Sequence, residues 1–117
     1  MTIHSFPYFI HSETEILILG TMPGAVSLAK QEYYANPRNH FWKILYTIFD
    51  ALPIGNSFEE KKDFLLFNKI GIWDVLEKCE RKGSLDIHIK NHKENDFETV
   101  LKKFPVIKKI IFNGKQS

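Results

Sequence analysis

The stretch "ILILGTMPG", residues 16–24, decides how the rest of the chain is read. Ile16 to Leu19 form a short apolar run that stops at Gly20, the pattern of a strand buried on both faces. Such strands belong to parallel sheets covered by helices. Gly20 and Gly24, with Pro23 between them, bracket a tight turn at the strand's carboxyl end. A glycine turn in that place brings backbone N–H groups up to a phosphate or a base. It lacks the spacing of a dinucleotide fingerprint and the Lys-Ser/Thr of a P-loop. By itself it reads equally as a structural turn or as a site.

Downstream, Asn36-Pro37 marks a boundary, and "HFWKILYTIFDAL" predicts a helix. Phe41, Leu45, Ile48, Phe49 and Leu52 share one face of it, Asn39 is placed to cap it, and Pro53 and Gly55 end it. "SFEEKKDFLLFNKI" predicts a second helix, with Ser57 as cap and Glu60 three residues on. Residues 71–76, "GIWDVL", read as a second strand or extended turn, and "CERKGSLDIHIKNHKEN" as a polar loop. "DFETVLKKFP" predicts a third helix, capped by Asp96 and closed by Pro105; "VIKKIIFNG" is a third strand stopped by Gly114. Strands alternating with helices predict a mostly parallel sheet with helices on both faces. Ligands of such sheets sit at the carboxyl ends of the strands. Gly20–Gly24, Asp74 and Asn113-Gly114 all fall there.

The length, 117 residues, argues for one domain, residues 1–117. No apolar run approaches a membrane span, and the start, "MTIHSFPYFIHSETE", has no signal-peptide pattern. The one cysteine, Cys79, fits a reducing cytosol and reads as a packed or surface thiol. The net charge of +2 is uneven: residues 61–117 carry thirteen Lys/Arg against eight Asp/Glu. Five lysines and no acid follow Glu98. That run suits phosphate contact, and suits a solvated surface better. His88 and His92 have helical spacing but no following Glu, so no metal site is expected. No nucleophile elbow and no carboxylate pair for ordinary glycoside hydrolysis is present.

The adjacent Tyr33 and Tyr34 read as core or, since neighbours on a regular element point apart, as one core and one exposed or pocket-lining ring suited to stacking on a planar base. Asn39 reads as a helix cap or as a water-holding amide at the mouth of the same cleft.

The stretches "ILILGTMPGAVSLAKQEYYANPRNHFWKIL", "GIWDVLEKCERKGSLDIHIKN", "ENDF" and "IIFNGK" resemble the uracil-DNA glycosylase superfamily, in its hypoxanthine-DNA (deoxyinosine) glycosylase branch. The mismatch-specific uracil/thymine glycosylases are the neighbouring branch. The resemblance implies a three-layer α/β/α sandwich. It implies a cytoplasmic, monofunctional glycosylase that removes deaminated bases, chiefly hypoxanthine, from double-stranded DNA, with no cofactor, metal or membrane. Gly20, Thr21, Met22, Pro23 and Gly24 match the motif that encloses the flipped base. Met22 stands where many relatives carry the polar residue that positions water, so the resemblance moves the catalytic amide to Asn39. Tyr34 matches the aromatic that stacks on the base, and Asn113 a residue that contacts the base edge. The rivals are uracil or mismatch-thymine removal, and a non-catalytic remnant that binds DNA weakly. The family continues past "FNGK" with a helix, a fourth strand and a Ser/Pro-rich motif. The expectation is therefore a domain incomplete at its C-terminus, with its last strand missing. It would be a monomer at full length, and prone to self-association and weakly active when truncated.

Overall fold

The computed structural model describes residues 2–35, 39–81 and 89–113. At its centre β2 (Ile16–Gly20) runs parallel to β3 (Ile70–Asp74) on one side and to β6 (Lys109–Phe112) on the other. The register sets Leu17 beside Gly71 and Ile110, and brings Gly20 level with Asp74.

Alternation along the strands sorts the core into two faces. Ile18, Ile70 and Ile72 pack with Phe41, Trp42, Leu45, Tyr46 and Leu65. These come from α2 (Phe41–Ile48) and α3 (Phe58–Phe67). Leu17, Leu19 and Trp73 face the other way, against Ile10 and Val100, the latter on α4 (Phe97–Lys103). This is the expected layering, helices on both faces of a parallel sheet. Each fully buried aliphatic side chain, such as Leu17 or Ile72, contributes about 1.5–3 kcal/mol. Two of the expected caps form: Ser57 Oγ accepts the Glu60 N–H at 3.2 Å, and Asp96 Oδ1 the Thr99 N–H at 3.1 Å.

Three expectations need correction. The buried stripe of α2 is Phe41, Trp42, Leu45 and Tyr46, whereas Ile48 and Leu52 are exposed. The two bulky aromatics turn the helix toward themselves. The chain leaves the helix at Asp50, which adopts a left-handed φ of 52°. Secondly, the expected polar loop after the second strand takes in one strand and the end of another, both in a separate antiparallel sheet. It is made of β1 (Thr2–His4), β4 (Leu76–Glu80) and β5 (Lys90–Glu94), in the order β1-β4-β5. β5 is exposed throughout, so its sequence carries no apolar alternation to announce it. Thirdly, a short helix, α1 (Ala25–Lys30), follows the glycine turn directly.

The two sheets meet at one residue. Val75 separates β3 from β4, and its N–H donates to Gly20 O at 2.7 Å; the Leu76 N–H donates to Thr21 O at 3.1 Å. Met22, Leu76 and Cys79 then form a third, small core, in which Cys79 is fully buried. At the far side of the parallel sheet, among the described residues, β6 pairs only with β2. Its Ile110, Ile111 and Phe112 are exposed, Phe112 by 58%.

The described lysines of the run, Lys102, Lys103, Lys108 and Lys109, are exposed, and Lys115 lies outside the described residues. Lys102 pairs with Glu98 at 3.2 Å and Lys108 with Glu15 at 3.6 Å. Lys108 and Lys109 stand at the start of β6, the end of the sheet opposite Asn113. His92 is exposed, with Nε2 3.8 Å from Glu94 Oε1, and His88 lies outside the described residues. Among the described residues no group of three or more His, Cys, Asp or Glu is placed to hold a metal ion, and no helix is long and apolar enough to cross a membrane.

Candidate functional site

Gly20, Asp74 and Asn113 end or follow the three parallel strands, and the fold brings them together. The Asn113 N–H donates to Leu19 O at 2.7 Å, which carries the β6 pairing one residue past the strand. A Cβ built on Gly20 would lie 2.7 Å from Asp74 Oδ1 and 3.1 Å from the Tyr34 hydroxyl. Only a residue without a side chain lets those two groups close over the strand end. Gly114 lies outside the described residues.

The turn after β2 is held largely by its carbonyls. Gly20 O and Thr21 O accept from β4 and its junction, as above. Pro23 O accepts from Arg81 Nη2, and Gly24 O accepts the Leu28 N–H that opens α1. The Met22 side chain is buried against Leu76 and Cys79, so it is directed into the small core. Only its backbone is left for a ligand at the strand end.

Tyr33 is buried and Tyr34 half-buried, so neither ring is the exposed one that the second alternative allowed. Tyr33 is 6% exposed, and its hydroxyl donates to Pro7 O at 3.0 Å. Tyr34 has φ 54°, a left-handed value rare for a bulky residue and sustained only where surroundings enforce it. Its ring stacks on Phe41, with centroids 3.8 Å apart and planes at 17°. One face of Tyr34 is thus taken from within the protein. Its hydroxyl has no solvent-accessible surface and closes no hydrogen bond among the described residues. Burial, with Asp74 adding to it and Asn113 opposing it, pushes the Tyr34 hydroxyl up to about 12. Burial first, then Asp74 and Tyr34, raises Tyr33 as well. Both phenols are therefore protonated at neutral pH. Asp74 itself is 3% exposed.

Asn39 is exposed at the start of α2, where its Oδ1 accepts the Phe41 N–H at 2.9 Å. It stands one residue before the N-cap, His40, and holds the first N–H of the helix, while its second lone pair and its Nδ2 group are not used by that bond. That bond and a water-holding role are thus compatible.

Sequence reading missed three residues that set this geometry. Ser27 Oγ, buried on α1, accepts the Ala35 N–H at 3.0 Å and so ties the glycine turn's helix to the segment after Tyr34. Arg81 reaches across 58 positions to Pro23. Asn95 Nδ2 donates to Asp74 O at 2.7 Å and fixes the end of β3. Ser, Arg and Asn are common surface residues, and nothing in their spacing marks these contacts.

The uracil DNA glycosylase superfamily model matches residues 6–116, and the chain belongs to that superfamily. Among its relatives, Hypoxanthine DNA glycosylase of Methanosarcina barkeri (strain Fusaro / DSM 804) is 39% identical over 117 residues, all of this chain and 74% of that protein. Hypoxanthine DNA glycosylase of Methanosarcina acetivorans is 37% identical over the same span and share. A solution NMR structure of a candidate uracil DNA glycosylase from Methanosarcina acetivorans superposes with a TM-score of 0.88 at 37% identity. It covers 99% of this chain and 72% of that one. The expected superfamily and α/β fold are borne out.

Proposed function

We propose that this chain is a monofunctional DNA glycosylase that hydrolyses the N-glycosidic bond of a deaminated base, chiefly hypoxanthine in deoxyinosine, in double-stranded DNA during base-excision repair. The observation that carries the reading is identity of 37–39%, over the 117 residues of this chain and 74% of each relative, to two proteins named hypoxanthine DNA glycosylase. The convergence of Gly20–Gly24, Tyr34, Asp74 and Asn113 at one end of the parallel sheet supports it.

The chemistry needs three things. The nucleotide must leave the stack at a cost of about a few kcal/mol, least for a mispaired base. Negative charge on the departing purine must be met by fixed dipoles, and positive charge on the sugar by a positioned water. In this reading the backbone of Gly20–Gly24 encloses the base. The Tyr34 face not covered by Phe41 continues the aromatic stack under it. Asn113 reads its edge. The Asn39 amide orients the water: it is too weak a base to take the proton outright, but its oxygen sets the direction of attack. Met22, buried in the small core, takes no part in holding water. Such an enzyme works where the DNA is, in the cytoplasm.

The test is an oligonucleotide duplex with one deoxyinosine, treated with protein and then alkali. Strand breakage at the deoxyinosine is the expected result. Breakage at deoxyuridine with none at deoxyinosine would move the chain to the uracil-removing reading, which the description of the solved relative favours. No breakage at either would leave a DNA-binding remnant.

A further inference from the structure

We propose that Ser27 and Trp42 are positioning residues that clamp the two peptide groups flanking Tyr34, and so hold its ring ready for the base in a backbone conformation it would not keep alone. The inference rests on the glycosylase reading above and gives its aromatic platform a cause.

Each residue has two soft dihedral angles, and each of them turns one neighbouring peptide plane. At Tyr34, φ turns the plane that carries Tyr33 O, and ψ turns the plane that carries the Ala35 N–H. Side chains engage both planes. The Trp42 Nε1–H donates to Tyr33 O at 3.2 Å, in a buried bond, and the Ala35 N–H donates to Ser27 Oγ at 3.0 Å. Between these bonds Tyr34 stands at φ 54°. A left-handed backbone is disfavoured about tenfold for a residue with a side chain. Freed of the two bonds, Tyr34 would leave it for the right-handed or extended regions.

Both anchors are themselves held. Trp42 is buried on α2 and meets Phe41 edge-on, with ring centroids 5.0 Å apart. Ser27 is buried on α1, and its carbonyl accepts the N–H groups of Gln31 and Glu32. One serine thus fastens the segment that leaves α1 at its start, through O, and again at Ala35, through Oγ. The glycine turn belongs to the same unit, since Gly24 O accepts the Leu28 N–H at 3.0 Å. The consequence is where the ring lies. Tyr34 stacks on Phe41 at 3.8 Å between centroids, with its hydroxyl 3.1 Å from a Cβ built on Gly20. Phe41 and Trp42 are neighbours on α2, so one helix start supplies both the ring under Tyr34 and a donor that locks its backbone.

Removing the Ser27 hydroxyl frees ψ of Tyr34. One neutral hydrogen bond shifts such an equilibrium about two- to tenfold. The fraction of molecules with the ring in place falls, and apparent affinity falls with it. A ring that stacks on the base equally in the ground and transition states shows this loss in KM rather than kcat.

Ser27→Ala is therefore compared with Thr14→Val. Thr14 Oγ1 accepts the His11 N–H at 2.9 Å, a bond of the same kind before the start of β2, at the other end of the sheet. NMR couplings and ring-proton shifts report the Tyr34 backbone and its stacking on Phe41, and KM and kcat are measured on a deoxyinosine duplex. In Ser27→Ala, Tyr34 should lose its left-handed coupling and its Phe41 ring-current shift, and KM should rise about two- to tenfold at nearly unchanged kcat. Thr14→Val should lower the urea midpoint and move neither readout. In a Tyr34→Gly chain, which has no ring and tolerates the left-handed region, Ser27→Ala should add nothing to KM. Unchanged Tyr34 signals in Ser27→Ala would overturn the inference. So would an equal KM rise in Thr14→Val, a full Ser27→Ala effect without the Tyr34 ring, or a Trp42 indole proton that exchanges freely in the parent. A parent that leaves deoxyinosine intact refutes the glycosylase reading, while the Tyr34 signals still decide the clamp.

Discussion

Adding one methyl group at Gly20 tests the geometry of the strand end most directly. In Gly20→Ala the new Cβ would meet Asp74 Oδ1 at 2.7 Å and the Tyr34 hydroxyl at 3.1 Å. The first distance is closer than real Cβ atoms approach any neighbour, so something must move. Asp74 is almost wholly buried and its backbone is held by Asn95, so its carboxylate has little room. The Tyr34 hydroxyl is held by a ring stacked on Phe41 and by a backbone already in the left-handed region. Overpacking of this kind costs about 1–3 kcal/mol. For a domain of roughly this size each kcal/mol lowers the melting temperature by about 4 °C. Gly20→Ala should therefore melt about 4–12 °C below the parent, with a matching fall in the urea midpoint at unchanged slope. Asp74→Ala removes the obstructing atom, so the double variant should lose less than the two single losses together, by about 1 kcal/mol or more. Strict additivity, or a Gly20→Ala chain that melts with the parent, would show that the Asp74 carboxylate does not close over Gly20.

Four further outcomes follow from the same contacts. Asn39→Ala should slow single-turnover excision by orders of magnitude but cost only about 0.5–1 kcal/mol, the value of one lost bond at a helix start; parallel small losses in both would leave Asn39 that structural role alone. Ser27→Ala removes the acceptor of the half-buried Ala35 N–H and should cost about 1 kcal/mol in a urea melt, with faster amide exchange at Ala35 than at α3. Hydrogen bonds from Thr99, first through its N–H, hold the Asp96 carboxyl below its ordinary 3.8, so its contribution to α4 is full above that value and lost as pH falls through the lower folded value. Exchange at the Thr99 amide should accelerate over that acid window in the parent and stay flat in Asp96→Asn. Finally, β6, which among the described residues pairs only with β2 and exposes Ile110, Ile111 and Phe112, should make the light scattering of this 117-residue chain rise with concentration, and Ile111→Lys should suppress the rise; a scattering mass independent of concentration would refute it.

The parallel core was legible because burial on both faces leaves an uninterrupted apolar run, as in Ile16–Leu19, and because Ser57 and Asp96 cap where their hydroxyl and carboxylate oxygens can reach an N–H. The antiparallel sheet was not legible: β5 buries none of its residues, so nothing in "KNHKE" separates it from a loop. The rotation of α2 was lost for a different reason. Trp42 and Tyr46 lie one position off the stripe of Phe41 and Leu45, and their bulk outweighs the aliphatic pattern that Ile48 and Leu52 continue. For the site, strand ends predicted the meeting of Gly20, Asp74 and Asn113. The direction of each side chain depended on the left-handed backbone at Tyr34 and on contacts such as Arg81 to Pro23, which no local pattern encodes.

The way the turn after β2 is fastened bears on how such a site changes over evolutionary time. Its shape is set by Gly20 O, Thr21 O, Pro23 O and Gly24 O, each engaged by a donor from elsewhere. Every residue possesses a carbonyl, so those bonds survive replacement of the side chain at the turn's middle position. The Met22 side chain can accordingly plug the small core with Leu76 and Cys79 while the turn's backbone keeps its bonds. A contour stored in the main chain keeps its shape while the side chains along it are exchanged, so such a turn tolerates substitution at its middle without losing its outline.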